Sequence, residues 1–569
     1  MVSTHFGRKL LDRLLGRFVW YYLSLAKLQR SLGDDLGAFR TLMASQQRGI
    51  EDDRLHLELS KLYRDDGQVM DALAHLRIAE ELKPGESSIR RLTLESDHDL
   101  HDAGSKTLDR VLSLPARTIH SHISNLNRVS IFYPEHRARL NAVRERLLTH
   151  LESTDVSQAS RASEAVATAL SCLQLGMAMD IAARSDAAGN KLRPNTLKLL
   201  TRITGDLGRH RQFLDAAWDN ETGDVLSAFS GGQRRLLSEL GTDPDRIVEI
   251  FIPRAFFSRP EKEMPSYQTI RQTFVHIIDY LLSRADLVVV PRLLMHVMRC
   301  VPKTKGGRVV SYHTKGHGNP RHLHVQETPL AGRSSFDHAG FAGYASIATD
   351  FDQVRAATAE VGKDVLAANQ AEMYECYALK NVSKYHQTAE NAPLPSPYVF
   401  VALQIPTDTV AHLAFMNGTE LLESVVGFYR GTGTKVVVKR HPYCGSMGVQ
   451  KCLDALEAAG DIIRTSNSIH SVISNAQIIF TVNSGVGLEA LMHGKPVVVS
   501  GGCDYSFAVT TVKNRDELYA VLSKGVIPDP RRIQQLLYYY TRHFTVSASD
   551  ETAVHARLDA WLGTHVQHC

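Results

Sequence analysis

Two stretches of the chain hold residues whose types and spacing could do chemistry on a phosphate. In TKVVVKRHPYCG, Lys439, Arg440 and His441 follow directly on an apolar run that Pro442 stops. A buried strand that delivers three potential cations to one edge offers a phosphate charge-assisted hydrogen bonds; a solvated loop is the plainer reading. In FTVNSGVGLEALMHGKPVVVSGG, Asn483, Ser484, Gly485 and Gly487 separate an apolar run from an apparent helix. Glycines there permit close ligand approach, exposed amides at a helix start favour an anion, and Glu489 in the first turn offers a charged acceptor for ribose hydroxyls. The alternative is that Ser484 only caps the helix and the glycines only tighten the turn.

The elements that must position these residues follow from periodicity. Residues 1–225 read as helices at a 3.6-residue period. Within them, Leu59, Ser60, Tyr63, Gly67, Ala72, Leu76, Ala79 and Pro84 fall at the spacings of one tetratricopeptide (TPR) repeat of about 34 residues. Such a unit binds a protein partner or is an ordinary helical hairpin. From about residue 226 the texture changes to short β-branched runs (RIVEIFIP, DLVVV, RVVSYHT) alternating with helical stretches, the pattern of parallel strands with crossover helices. The proline-rich KYHQTAENAPLPSPY interrupts the alternation, and YVFVALQI, TKVVVKRHP, DIIRTS, QIIFTV and PVVVSG resume it. The reading is a helical domain over 1–225 with its TPR-like unit near 53–86, an α/β domain over 226–385, a linker over 386–397, and a second α/β domain over 398–569 whose helical tail begins at Pro530. Ligands of open α/β sheets bind beyond the carboxyl ends of the strands, which is where both stretches lie.

Composition narrows the function classes. The 569 residues hold 65 Lys and Arg against 61 Asp and Glu, a net charge of +4, which argues against a dedicated nucleic-acid binder. Seven scattered cysteines form no C-x-x-C pair and fit free thiols in a reducing, cytoplasmic setting. No apolar run reaches the roughly 18 residues of a membrane span. Residues 4–30 are basic around FVWYYLSLA; a first helix packed on the helical domain is the favoured reading, and peripheral contact with the inner membrane face the alternative. Phosphate-loop, dinucleotide and nucleophile-elbow motifs are missing from the sequence.

KVVVKRHP followed by TVNSGVGLEALMHGKPVVVSG closely resembles the C-terminal half of bacterial capsule and lipopolysaccharide glycosyltransferases of GT-B fold, the Kdo transferases and their relatives that use CMP-sugars. VVSYHTKGHGNPRHLHVQETPLAGRSSFDHAGFAGYASI resembles the acidic-residue segment of their N-terminal half, so the likeness spans roughly residues 240–510. It implies a GT-B-like pair of Rossmann-type α/β domains, here preceded by an all-α, partly TPR-like domain. It implies that His441 and Pro442 serve the donor phosphate, that Asn483 and Ser484 complete that site, and that Glu489 holds the nucleoside; Lys439 and the turn amides around Gly485 and Gly487 are placed to stabilise the leaving phosphate electrostatically. Many relatives carry an acidic pair and a glycine at the catalytic strand end, where this chain has Gln326-Glu327-Thr328. Glu327 is then the candidate base or nucleophile and Asp337 the second candidate, with His441 assisting the leaving group; whether configuration is retained or inverted stays open.

The expectation is a glycosyltransferase of capsule or lipopolysaccharide biosynthesis that moves Kdo or another ulosonic acid from a CMP-sugar to a glycan or lipid-linked glycan acceptor. A UDP- or GDP-sugar transferase and a non-catalytic TPR-containing assembly protein are the alternatives. No cofactor or metal is expected: Asp350-Phe351-Asp352 is an acid-x-acid string common by chance, and His313, His317, His322, His324 and His338 lack the spacing of a closed zinc site.

Overall fold

The computed structural model describes residues 18–98, 100–114, 137–222, 244–258, 264–292, 307–312, 318–389 and 392–563. His313, Lys315 and His317, the basic residues before Phe18, and the expected boundary near residue 226 lie outside them.

Between Val19 and Thr222 the described residues are almost wholly helical, with consecutive helices packed in pairs. The TPR-like unit is the pair Asp53–Asp65 and Val69–Leu82. Leu57, Ala72, Leu76 and Ala79 meet in its buried seam, Leu59 packs instead with Tyr21 and Leu42 of the preceding helices, and Gly67 (φ +80°) makes the turn in a left-handed conformation that a side chain would strain. The helix Val19–Ser31 packs Tyr21, Tyr22 and Leu23 into the same helical region and leaves Trp20 exposed.

Two six-stranded sheets follow among the described residues. The first contains β1 (Ile247–Phe251), β2 (Val288–Arg292), β3 (Arg308–Tyr312), β4 (His322–Glu327) and β5 (Arg333–Asp337), in the order β5-β4-β3-β1-β2. β1 to β4 pair in parallel, and β5 turns back antiparallel on β4. The second sheet is wholly parallel: β6 (Tyr398–Ala402), β7 (Lys435–Lys439), β8 (Ile462–Arg464), β9 (Ile479–Thr481), β10 (Val497–Val499) and β11 (Thr510–Thr511), in the order β11-β10-β9-β6-β7-β8. β6 is buried throughout, as its unbroken apolar sequence requires of a strand covered on both faces. Because β6 lies between β7 and β9, the strand order reverses there, and the crevice beyond its carboxyl end is where such sheets take ligands.

The tail differs from an all-helical one. After the helix Pro530–Tyr539 the chain returns to the first domain and adds β12 (Thr545–Ser547) antiparallel to β5. Arg333 fixes this return by donating to the Thr545 side chain and to the Thr541 and Thr545 carbonyls. The two Rossmann-type domains, joined by a linker and a returning tail, make the GT-B-like pair preceded by a helical domain. Among the described residues no helix is long and apolar enough to cross a membrane.

Candidate functional site

A cavity of about 770 Å³ lies between the two sheets. The first domain contributes Glu327, Thr328 and Pro329 at the carboxyl end of β4. The second contributes Lys439, His441 and Pro442 after β7, Asn483 to Val486 and Glu489 after β9, and Gln404 and Asp408 after β6. Ser383 to Thr388 cross between the domains and border it as well.

At the end of β7 the three basic side chains part company. Arg440 turns away from the cavity centre to Asp35 of the helical domain (3.2 Å) and to the Ser446 carbonyl (3.0 Å). Lys439 donates to the carbonyls of Ser466 and Asn467, and burial pulls its pKa below the usual lysine value. His441 accepts the Tyr443 amide at Nδ1 (3.2 Å), and its ring stands edge-on to Tyr385 with centroids 5.1 Å apart. Burial holds its pKa down to about 4, so at neutral pH the imidazole is uncharged. With Nδ1 accepting, the proton sits on Nε2, a neutral hydrogen-bond donor rather than a third cation. Pro442 borders the same cavity and is exposed.

The turn after β9 is built for close packing of protein on protein. A Cβ on Gly485 would stand 2.6 Å from Cγ and 2.9 Å from Cβ of Pro329, in the opposite domain; one on Gly487 would meet the Tyr505 ring at 2.5 Å. These approaches account for both glycines, where the sequence suggested room for a ligand. Asn483 donates its amide to the carbonyls of Val410 (2.9 Å) and Gly502 (3.0 Å), tying three loops together. Ser484 Oγ accepts the Val486 amide at 3.4 Å, the capping role, while its carbonyl receives the Tyr505 hydroxyl. The helix that follows, Val486–Met492, has seven residues.

Glu489 is buried in that helix beside the cavity. Burial raises its pKa to about 7, against the Ser383 hydroxyl bond and the nearby Lys439 charge, which lower it. Its Oε1 is buried without a hydrogen-bond partner, with His470 Nε2 4.0 Å away.

Across the cleft, Glu327 is ion-paired through Oε1 with Lys384 at 2.9 Å, while its buried Oε2 has no partner. Burial lowers the Lys384 pKa, but Glu327, Tyr385 and Asp408 more than offset this and leave it raised. The Tyr312 hydroxyl is pushed well above its ordinary value, first by burial and then by the neighbouring Glu327 charge. Asp337 stands elsewhere. One of its oxygens accepts the amides of Ala339 and Gly340 and the other the amide and hydroxyl of Ser346, so the carboxylate organises its own loop and does not border the cavity.

Lys384, Tyr385, Asp408 and Asp504 escaped the sequence reading although all border the cavity. Asp504 is buried, and that burial raises its pKa to about 6 against the Tyr540 hydroxyl, which donates to its Oδ2 at 2.7 Å and lowers it. Lys384 and Tyr385 carried a usable signal, a cation and an aromatic ring where a domain ends and a linker begins. The histidines of β4 are strand residues: His322 and His324 stack at 4.0 Å, and His322 meets the Ser311 hydroxyl. Asp350 caps Asp352, and Asp352 pairs with Arg355 on an exposed helix outside the cavity. Among the described residues no three His, Cys, Asp or Glu side chains are grouped to hold a metal ion.

The match to a family model agrees with the resemblance. Residues 363–537 match the sequence model of the family described as capsule polysaccharide biosynthesis protein. Protein FixF of Sinorhizobium fredii is 27% identical over 165 residues, covering 27% of this chain and 39% of its own length. A β-Kdo 2,7 transferase, KpsC of Thermosulfurimonas dismutans, shares 15% identity over 55% of this chain and 98% of its own, with a TM-score of 0.33. An O-GlcNAc transferase mutant of Thermobaculum terrenum shares 13% identity over 95% of this chain and 96% of its own, with a TM-score of 0.30. Likeness of that degree bears on neither substrate nor mechanism.

Proposed function

We propose that this chain is a glycosyltransferase of surface-polysaccharide synthesis, and that the cleft takes a CMP-activated acidic sugar, Kdo or a related ulosonic acid, and passes it to a glycan acceptor. The observation that carries the reading is the meeting in one cavity of a carboxylate with a free buried oxygen, Glu327, and the donor-bearing strand ends at His441 and Ser484. The family match over 363–537 supports the pathway.

Breaking the bond from the anomeric carbon to the phosphate oxygen sends the electron pair to the phosphate and leaves positive charge on the sugar. His441 Nε2–H, a neutral donor, stabilises the departing phosphate without first losing hydration as a charged group would. Glu327, ion-paired with Lys384, removes the proton of the acceptor hydroxyl or attacks the anomeric carbon directly. Glu489 accepts from the nucleoside hydroxyls. Lys384 supplies a cation for the sugar carboxylate once Glu327 changes charge.

Release of CMP from CMP-Kdo, measured with and without a Kdo-terminated oligosaccharide, tests the proposal. Turnover in the wild type and its loss in Glu327→Gln is the expected result. Turnover of UDP- or GDP-sugars instead would replace the donor, and nucleotide binding without turnover of any sugar would make the chain an assembly protein.

A further inference from the structure

The first helices of the helical domain, the TPR-like unit among them, pack on the second α/β domain. The stretch 440–448 leads from His441 into the helix Met447–Ala458. At its start, Arg440 reaches Asp35 (3.2 Å) and the Gly33 carbonyl (3.3 Å), with side-chain exposure of 19% and 5% for Arg440 and Asp35. Arg30 ties Asp35 (3.3 Å) to Asp65 (2.6 Å). At its end, Asp66 Oδ1 accepts the Ser446 hydroxyl (2.6 Å) and the Gly448 amide (2.8 Å), while Ser446 Oγ caps the helix by accepting the Val449 amide (3.1 Å). Met447 is buried among Tyr21, Leu42, Leu59 and Leu62 of the helical domain. Gln450 closes the seam by accepting the Leu36 amide and donating to Asp34.

The turn of the TPR-like hairpin touches a second cavity-bordering loop. A Cβ on Gly67 would lie 3.5 Å from the Thr407 methyl, next to Asp408. Asp65, Asp66 and Gly67 therefore sit where two loops of the candidate donor site converge.

We infer that Asp35 and Asp66 are positioning residues for the His441 loop, so that the first helices of the helical domain form the outer support of the donor site. Their consequence for ligand rests on the donor-site reading above; their consequence for the loop does not. Each end of the loop is held by one carboxylate, and the imidazole lies between the two anchors. No helical-domain residue need touch the donor for the domain to govern its affinity, because a loop free to sample other conformations binds in proportion to its competent fraction.

The test is a charge exchange in the full-length chain. Asp35→Arg and Arg440→Asp each place like charges together, and the double variant restores an opposite pair. Amide hydrogen exchange over 440–448 and the affinity for CMP are read on all four proteins, with Asp66→Asn as a milder second perturbation that keeps one acceptor oxygen. The expected result is faster exchange confined to the loop and at least about tenfold weaker CMP binding in each single variant. Both should recover in part in the double variant, where the new opposite pair forms although Arg30 still faces position 35, a rescue that a general loss of stability does not give. Unchanged loop exchange in both single variants, or equal damage in singles and double, overturns the inference. If the wild type binds no nucleotide, the donor reading falls while loop exchange still decides the positioning role.

Discussion

Gly485→Ala separates two explanations of the turn after β9 by the sign of its effect. Gly485 has φ −54° and ψ −18°, helical values that alanine adopts without strain. In open space, replacing glycine there stabilises a protein by about 0.4–1 kcal/mol through the unfolded chain. The added Cβ would instead stand 2.6 Å from Pro329 Cγ, about 0.8 Å short of the 3.4 Å at which ordinary contact begins. Pro329 is a rigid ring between Thr328 and the fully buried Leu330, so no side-chain rotation relieves the overlap. Overpacking of this kind costs about 1–3 kcal/mol, which reverses the sign. The strain falls between the domains, so it opens the cleft beside Glu327 and weakens a ligand bridging both halves by roughly fivefold to a hundredfold. Melting temperature and nucleotide affinity of the wild type and Gly485→Ala give the answer. A variant that melts higher than the wild type and binds as tightly would refute the close approach of the two domains at this point.

Glu489→Gln tests the buried acid of the second domain. Its folded pKa of about 7 lies above the unfolded value, so the stability it contributes is fully present below about pH 4.5 and is lost as pH rises through 7; the variant should match the wild type at about pH 4 and exceed it by up to a few kcal/mol above pH 8 in a thermal melt series. Glu327→Gln strips Lys384 of its counter-charge: the raised Lys384 pKa means stability present below about pH 10.5 and lost above it. The variant should therefore melt lower at pH 7, with the deficit shrinking as pH climbs past 10, and should still bind nucleotide. Asp337→Ala leaves four donors without their acceptor, so it should lower the melting temperature while leaving any nucleotide-induced stabilisation intact; loss of that stabilisation alone would return Asp337 to the site.

Much of the second α/β domain was legible because its strands are unbroken β-branched runs and its polar residues cluster where those runs stop. β4 and β5 were harder to read: HLHVQE and RSSFD alternate histidine, glutamine and serine with apolar residues, a polar pattern for buried strands. β12 has three residues and no signal of its own until β5 supplies a partner. Side-chain direction at β7 was also hidden. Spacing shows three bases in a row, but only the fold shows that Arg440 is taken by Asp35, more than 400 residues earlier in the chain. The glycines at 485 and 487 were visible, yet their purpose depends on Pro329 and Tyr505, which only the folded chain brings against them. Lys384 was masked by its place at the mouth of a proline-rich linker, where a lysine ordinarily serves solubility.

The most direct test of the donor site is thermal stabilisation by CMP, UDP, GDP and ADP, each added to the wild-type chain and to His441→Ala. A ligand that binds only the folded state raises the melting temperature by mass action, whatever the acceptor. The cleft as described predicts stabilisation by CMP above the other three, lost in His441→Ala. No response to any nucleotide, or an equal response in the variant, would contradict it.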